Sequence, residues 1–288
     1  MMIWTEMNGI DNTPGETSLQ GVRRWSVGLG FLAAATLVGS FWMIFFYAPT
    51  EREMGIVQRI FYVHVPSAWV AFLAFGIVAL CSLGYLWLRD ERLDAIALAA
   101  AELGVIFTTI VLITGPLWGK IAWGAWWVWE PRLTLTLLLW FIYVGYFILR
   151  GATESPERGK RFAAILGIVG AVDIPLIHMS VQWFRSQHPK PVIMNPEGPT
   201  AAPEIVQTLL VSLLAFTLLF LSLLLARYVV ERLQGPFTAL PMIVYGWARQ
   251  PNPEFRELTS AAIVVLLFVL LTANAAAILL RNRYERNR

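Results

Sequence analysis

Charge and cysteine are what this sequence has least of. Only 14% of its 288 residues are charged and 57% are hydrophobic, whereas a soluble domain carries about 25% charged residues. The single cysteine, Cys81, excludes a disulfide, a CxxC redox pair and a cysteine-based metal site. The net charge of +3 is spread over short segments rather than gathered in one block, which argues against nucleic acid as a partner.

Catalytic signatures are also missing. No Ser/His/Asp set or carboxylate pair indicates hydrolysis. Residues 115–120 (GPLWGK) have neither the glycine spacing nor the Ser/Thr of a phosphate-binding loop. The sequence therefore favours a membrane protein that is not an enzyme.

Seven apolar runs approach the ~20 residues that cross a bilayer as a helix. Since backbone polar groups in lipid must be satisfied internally, these runs predict an all-α, polytopic integral membrane helix bundle. We expect a polar N-terminal segment (1–24), a six-span core (25–232) and a C-terminal extension (233–288) with an additional helix. The first 24 residues lack the pattern of a cleaved signal. The predicted spans are 25–47, 65–88, 95–117, 133–149, 162–181, 205–226 and 259–280.

The distribution of basic residues predicts the orientation. If the N-terminus is inside, the inner segments hold twelve Lys and Arg and the outer segments hold six. The inner count includes the stretch between the sixth and the seventh apolar runs. The positive-inside rule then places the segments around 48–64, 118–132 and 182–203 outside. The four arginines after the seventh run break the rule if that run crosses, so the topology of the C-terminal extension is left open.

Tryptophan is concentrated in one of these outer segments. Five tryptophans fall within twelve residues, accompanied by three charged side chains: Trp118, Trp123, Trp126, Trp127 and Trp129, with Lys120, Glu130 and Arg132. One interpretation is an aromatic belt at the lipid interface. The other is a surface that packs against a large planar ligand, and the density of indoles favours it.

Two of the three histidines, His64 and His188, fall in outer segments on either side of the tryptophans. Imidazole is a common metal ligand, and haem iron takes axial ligands from both ring faces. We therefore predict a haem site in which His64 and His188 bind the iron and the indoles pack against the macrocycle. Basic side chains would pair with the propionates; the candidates are Arg132, Lys120, Arg52, Arg59 and Arg185.

Ionisable residues also occur inside the predicted spans. His178 and Asp173 lie in the fifth span and Glu102 in the third, and such residues are functional candidates in a membrane. For His178 we expect a role in haem access or ligation, with a packed, hydrogen-bonded histidine as the alternative. Glu102 is expected to link helices, and Cys81 to serve in packing.

Three motifs resemble a known family. Residues 123–129 (WGAWWVW), followed by 132–134 (RLT), resemble the tryptophan-rich WWD signature of haem-handling proteins in cytochrome c maturation. Residues 58–69 (QRIFYVHVPSAW) and 174–183 (IPLIHMSVQW) are similar to the CcmC family among them. The resemblance covers about residues 20–232. Glu130 stands where that family usually has Asp.

The resemblance implies a function. Members bind haem b at the outer face of the bacterial inner membrane, with the site facing the periplasm, and deliver it to the haem chaperone CcmE. An ABC-type complex of CcmA and CcmB, with the small protein CcmD, later releases the loaded chaperone. Carried over by position, the iron ligands are His64 and His188, and the cradle runs from Trp118 to Arg132. A CcmD-like helix is one interpretation of the seventh run.

Two other functions are weighed against this one. A b-type cytochrome subunit of a membrane quinone oxidoreductase would need histidine pairs inside the spans, where only His178 lies. A transporter or scaffold would use the tryptophans as an aromatic belt.

Overall fold

The apolar runs of the core form helices. The computed structural model describes residues 14–52, 54–153, 155–184 and 201–234. Six helices in this part of the chain are long and apolar enough to cross a membrane, and it contains no strand, which confirms the predicted all-α membrane class. Their bounds are α1 Pro14–Trp42, α2 Phe61–Leu88, α3 Glu91–Ala122, α4 Pro131–Ala152, α5 Pro156–Trp183 and α6 Pro203–Gln234. The predicted seventh helix lies outside the described residues.

Proline and a capping aspartate mark where helices begin. Pro131 and Pro156 occupy the first positions of α4 and α5, where the missing N–H costs nothing. Asp90 caps α3, its Oδ1 accepting a hydrogen bond from the backbone N–H of Arg92 at 2.8 Å.

Because successive helices run in opposite directions, the start of α2, the end of α3 and the start of α4 lie at one end of the bundle. This end is called the cradle end.

The pair α2 and α3 forms the centre of the core, packing against each other and against α6. Four alanines of α3 between residues 97 and 101 are buried, and small residues let helices approach closely. A Cβ at Gly104 would come within 2.3 Å of the Phe75 ring. That ring stacks on Tyr143 of α4 with centroids 3.7 Å apart. Three helices therefore interlock around one aromatic pair.

Ion pairs join the helices at the other end. Arg150 of α4 forms a bidentate ion pair with Asp94 of α3, in which Nη1 lies 2.7 Å from Oδ1. Both side chains are largely buried. Arg227 of α6 donates to Glu102 of α3, with 2.9 Å from Nη2 to Oε1. The predicted interhelical role of Glu102 is confirmed. Such pairs compensate charges that would be costly alone in a membrane.

Two predicted boundaries are wrong at the cradle end. His64 was expected in an outer segment but is the fourth residue of α2. The apolar residues after the 3₁₀ turn Ile56–Ile60 continue directly as helix. The third span was expected to end near residue 117, yet α3 continues to Ala122, because Leu117 and Ile121 extend its apolar face. Trp118 and Lys120 are therefore helical.

The pair of Arg150 and Asp94 gives a test of the fold. Replacing Arg150 by Met leaves a buried carboxylate unpaired, and we expect the free energy of unfolding to fall by about 3–5 kcal/mol. Equilibrium unfolding in mixed micelles measures it. The double variant Arg150→Met/Asp94→Asn should recover most of the loss. Lys160→Met, which breaks the more exposed pair with Glu91, should cost less than about 1 kcal/mol. Equal losses from both single variants would contradict the assignment.

Candidate functional site

A large cavity opens at the cradle end. Its volume is about 1200 Å³ and its walls come from α2 to α6 together with the segment between α3 and α4. This exceeds the roughly 300–1,000 Å³ of most small-molecule sites. The lining is mainly apolar, and of the described lining residues only Arg132 carries a permanent charge. Such a cavity suits a large, flat, apolar ligand with a negative edge.

His64 lines this cavity, and the hydrogen bonds of Thr114 allow its tautomer to be assigned. Its Nδ1 lies 2.8 Å from Oγ1 of Thr114 on α3, and that hydroxyl donates to the carbonyl of Ile110 at 2.7 Å. A hydroxyl has one hydrogen to donate, so Thr114 accepts from Nδ1–H. The lone pair of the imidazole is then on Nε2, the arrangement by which a second residue orients a metal-binding histidine.

Trp118 forms the wall beside His64. The two rings meet edge to face with centroids 5.9 Å apart, and the Phe61 ring also meets the indole edge to face, with centroids 6.1 Å apart. The indole Nε1 donates to Sδ of Met54 at 3.1 Å. Trp118 is thus fixed by contacts with the first turn of α2 and with the segment before it.

Glycines shape the turn that carries the next indoles. A Cβ at Gly119 would lie 3.1 Å from the ring of Trp123, so the missing side chain lets this indole fold back onto α3. Gly124 has a φ of +74°, in the left-handed region that favours glycine. The chain reverses there and returns Trp127 to the cavity wall.

Trp127 and Arg132 supply polar groups to the cavity. Nε1 of Trp127 is buried and has no hydrogen-bond partner in the described part of the chain. Arg132, in the first turn of α4, also lines the cavity. A buried N–H without a partner is costly, and Trp127 lines the same cavity as Arg132. Both groups would suit a carboxylate on a bound ligand.

The other predicted cradle residues lie outside the lining. Trp126 and Trp129 are exposed, and Trp129 meets Trp127 edge to face at 5.6 Å. Lys120 donates to the carbonyl of Gly124 at 3.0 Å and lies 6.0 Å from the centre of the Trp126 ring. Glu130 is buried at the start of α4.

The alternative propionate partners in the first outer segment do not reach the cavity. The guanidinium of Arg59 lies over the Phe45 ring, 5.2 Å from its centroid. Arg52 is exposed, and neither arginine lines the cavity. His188 and Arg185 lie outside the described residues, so their predicted roles stay predictions.

His178 also lines the cavity, from α5. Its side chain is exposed and makes no hydrogen bond or ion pair with another residue of the described ranges. Asp173, five residues earlier, is 5% exposed and is not among the lining residues. No hydrogen bond or ion pair joins the two side chains, which lie about 140° apart around the helix.

Thr114 and Met54 are site residues that the sequence did not reveal. Thr114 is one of several threonines in an apolar span, and its partner is fifty residues away in the chain. Met54 precedes the 3₁₀ turn and carries no motif. Only the packing of α2 on α3 brings these side chains to the indoles.

No three His, Cys, Asp or Glu side chains of the described part lie close enough to hold a bare metal ion. His64 would therefore supply only part of a coordination shell. An iron that arrives inside a macrocycle brings its other ligands with it. The cavity is suited to a ligand of that kind, a metal held in a macrocycle.

Comparisons with known proteins agree with the motifs. The family model described as CcmC, heme exporter protein C, matches residues 13–239. Heme exporter protein C of Bradyrhizobium diazoefficiens is 38% identical over 219 residues, which cover 75% of this chain and 82% of that protein. The protein of the same name from Haemophilus influenzae is 34% identical over 220 residues, covering 76% and 89%. That from Escherichia coli K12 is 40% identical over 152 residues, covering 52% and 61%.

The family model spans the six described helices and all three motifs of the cradle end. The chain therefore belongs to the heme exporter protein C (CcmC) family, whose members are membrane components of haem transport and not enzymes.

Proposed function

We propose that this protein holds haem b in the cavity at its cradle end and presents it to the haem chaperone CcmE during cytochrome c maturation. The observation that carries the proposal is His64, oriented by Thr114 in a cavity walled by indoles. Its Nε2 would bind the iron from one face. His188 is proposed as the ligand on the other face, as the motif resemblance implies.

The walls match the two surfaces of the porphyrin. Trp118, Trp123 and Trp127 offer aromatic faces to the apolar ring. Arg132 and the N–H of Trp127 would bind propionate oxygens, since a guanidinium pairs well with carboxylates. Trp126, Trp129, Glu130 and Lys120 border this site; in the proposal they form the rim that the acceptor meets.

Transfer requires a bond to iron that can be exchanged. A carboxylate partner raises the basicity of a ligating histidine, whereas the partner of His64 is a neutral hydroxyl. Nε2 of His64 is then a weaker donor than in a carboxylate-bound histidine. This suits a protein that must hold haem and then release it.

The proposed setting is the bacterial inner membrane with the cradle end toward the periplasm. The excess of Lys and Arg at the opposite end of the bundle supports that orientation. CcmA, CcmB and CcmD are proposed partners on the strength of the family. All six described helices are long and apolar enough to lie in that bilayer.

Thr114→Val tests the orientation of His64. The variant loses the acceptor for Nδ1–H, and we expect haem affinity to fall by about 10–100-fold with a smaller low-spin fraction. Haem titration of the purified protein, followed by its Soret absorption, measures both. Thr114→Ser should restore binding. Thr109→Val, on the same helix but outside the cavity lining, is the matched control. Unchanged affinity in Thr114→Val would refute the role of this hydrogen bond.

Arg132→Gln tests the propionate contact. We expect it to weaken haem binding by about tenfold, the effect of losing roughly 1.4 kcal/mol. Haem dimethyl ester, which has no free carboxylates, should bind the wild type and the variant equally. The haem affinity of Arg132→Lys should fall between that of the wild type and that of Arg132→Gln. If the variant loses haem and the ester to the same extent, Arg132 acts on the shape of the cavity and the propionate contact is wrong.

A further inference from the structure

The cavity reaches the side of the bundle as well as its end. Helix α2 packs against both α5 and α6, but α5 and α6 do not pack along each other in the described ranges. Side chains from both helices nevertheless line the cavity. A gap between α5 and α6 therefore leads to the cavity, with α2 behind it.

The lining residues on either side of this gap are exposed. His178 and Gln182 lie on α5, and Leu210 and Leu214 on α6 are 52% and 53% exposed. Because these exposed side chains lie on two helices that do not pack along each other, we take them as the rim of the gap. These four side chains form what is called here the lateral opening.

The depth of the lateral opening places it against lipid. His178 lies five residues before the end of α5, or about 7.5 Å along the helix at 1.5 Å per residue. Leu214 lies about 16 Å from the start of α6 by the same measure. A helix the length of α5 extends beyond a hydrocarbon core of about 30 Å at both ends. The opening faces acyl chains over most of its height.

His178 is the one ionisable side chain in this opening. An imidazole at membrane depth without hydrogen-bond partners is costly and marks a functional candidate. It shares the cavity with His64, and within the described ranges no hydrogen bond joins it to Gln182, the other polar side chain of the opening. A ligand that carries its own metal would provide this imidazole with a bonding partner.

Resting on the proposed function, we propose that haem reaches the cradle sideways from the bilayer, through the lateral opening between α5 and α6, and that His178 binds its iron in transit. The lone pair of His178 forms the first bond to iron. That bond breaks as Nε2 of His64 takes its place, with no proton released and no change in oxidation state. The apolar faces of the porphyrin stay in apolar surroundings throughout.

The test uses the full chain in lipid vesicles and two probes. Free haemin partitions into the bilayer, whereas haemin coupled through one propionate to dextran stays in water. In His178→Leu and Leu214→Trp, we expect uptake of bilayer haemin to slow by about tenfold or more. Uptake of the dextran conjugate, which enters from the aqueous end, should slow far less. Leu223→Trp, which is exposed on α6 but outside the cavity lining, is the matched control.

A second measurement addresses the ligand. In His64→Ala/His188→Ala, bilayer haemin should acquire a histidine-ligated spectrum that disappears when His178→Leu is added. A spectrum independent of His178 would overturn its role as ligand. Unchanged uptake of bilayer haemin, or equal slowing of both probes, would overturn the lateral route. A wild type that takes up neither probe would instead refute the proposed function itself.

Discussion

The hydrogen bond between Nδ1 of His64 and the hydroxyl of Thr114 connects the candidate site to the core of the fold. It joins α2 to α3, and the close packing of those helices sets its length. Small residues on α3 permit that packing, with Gly104 making room for Phe75. A looser pair of helices would separate the imidazole from its acceptor and leave Nε2 without a fixed direction.

Holding and releasing a guest make opposite demands on this site. Indoles that press on a macrocycle and a guanidinium that pairs with its edge favour retention. A neutral hydroxyl behind His64 and an open cavity of about 1200 Å³ favour exchange. The ion pairs at the far end join α3 to α4 and α6, so the bundle stays together although its cradle end is not closely packed.

Much of this arrangement follows from local sequence, and the remainder depends on tertiary packing. Apolar length predicts the described helices, but they extend past the predicted apolar spans at both ends of the bundle, because a helix can continue beyond the lipid. The density of tryptophan indicates a flat ligand, and Trp118, Trp123, Trp127 and Arg132 do meet at one cavity. Sequence gave no signal for Thr114. The partner of Glu102 is 125 positions away, and no local pattern could identify it.

The central claim is that Nε2 of His64 binds the iron of a haem held in this cavity. The most direct measurement is the absorption spectrum of the full-length protein loaded with haem, compared with that of His64→Ala before and after addition of imidazole. We predict that the variant loses the low-spin spectrum and that imidazole, entering the space left by the side chain, restores it. A low-spin spectrum that persists in His64→Ala without imidazole would contradict the account.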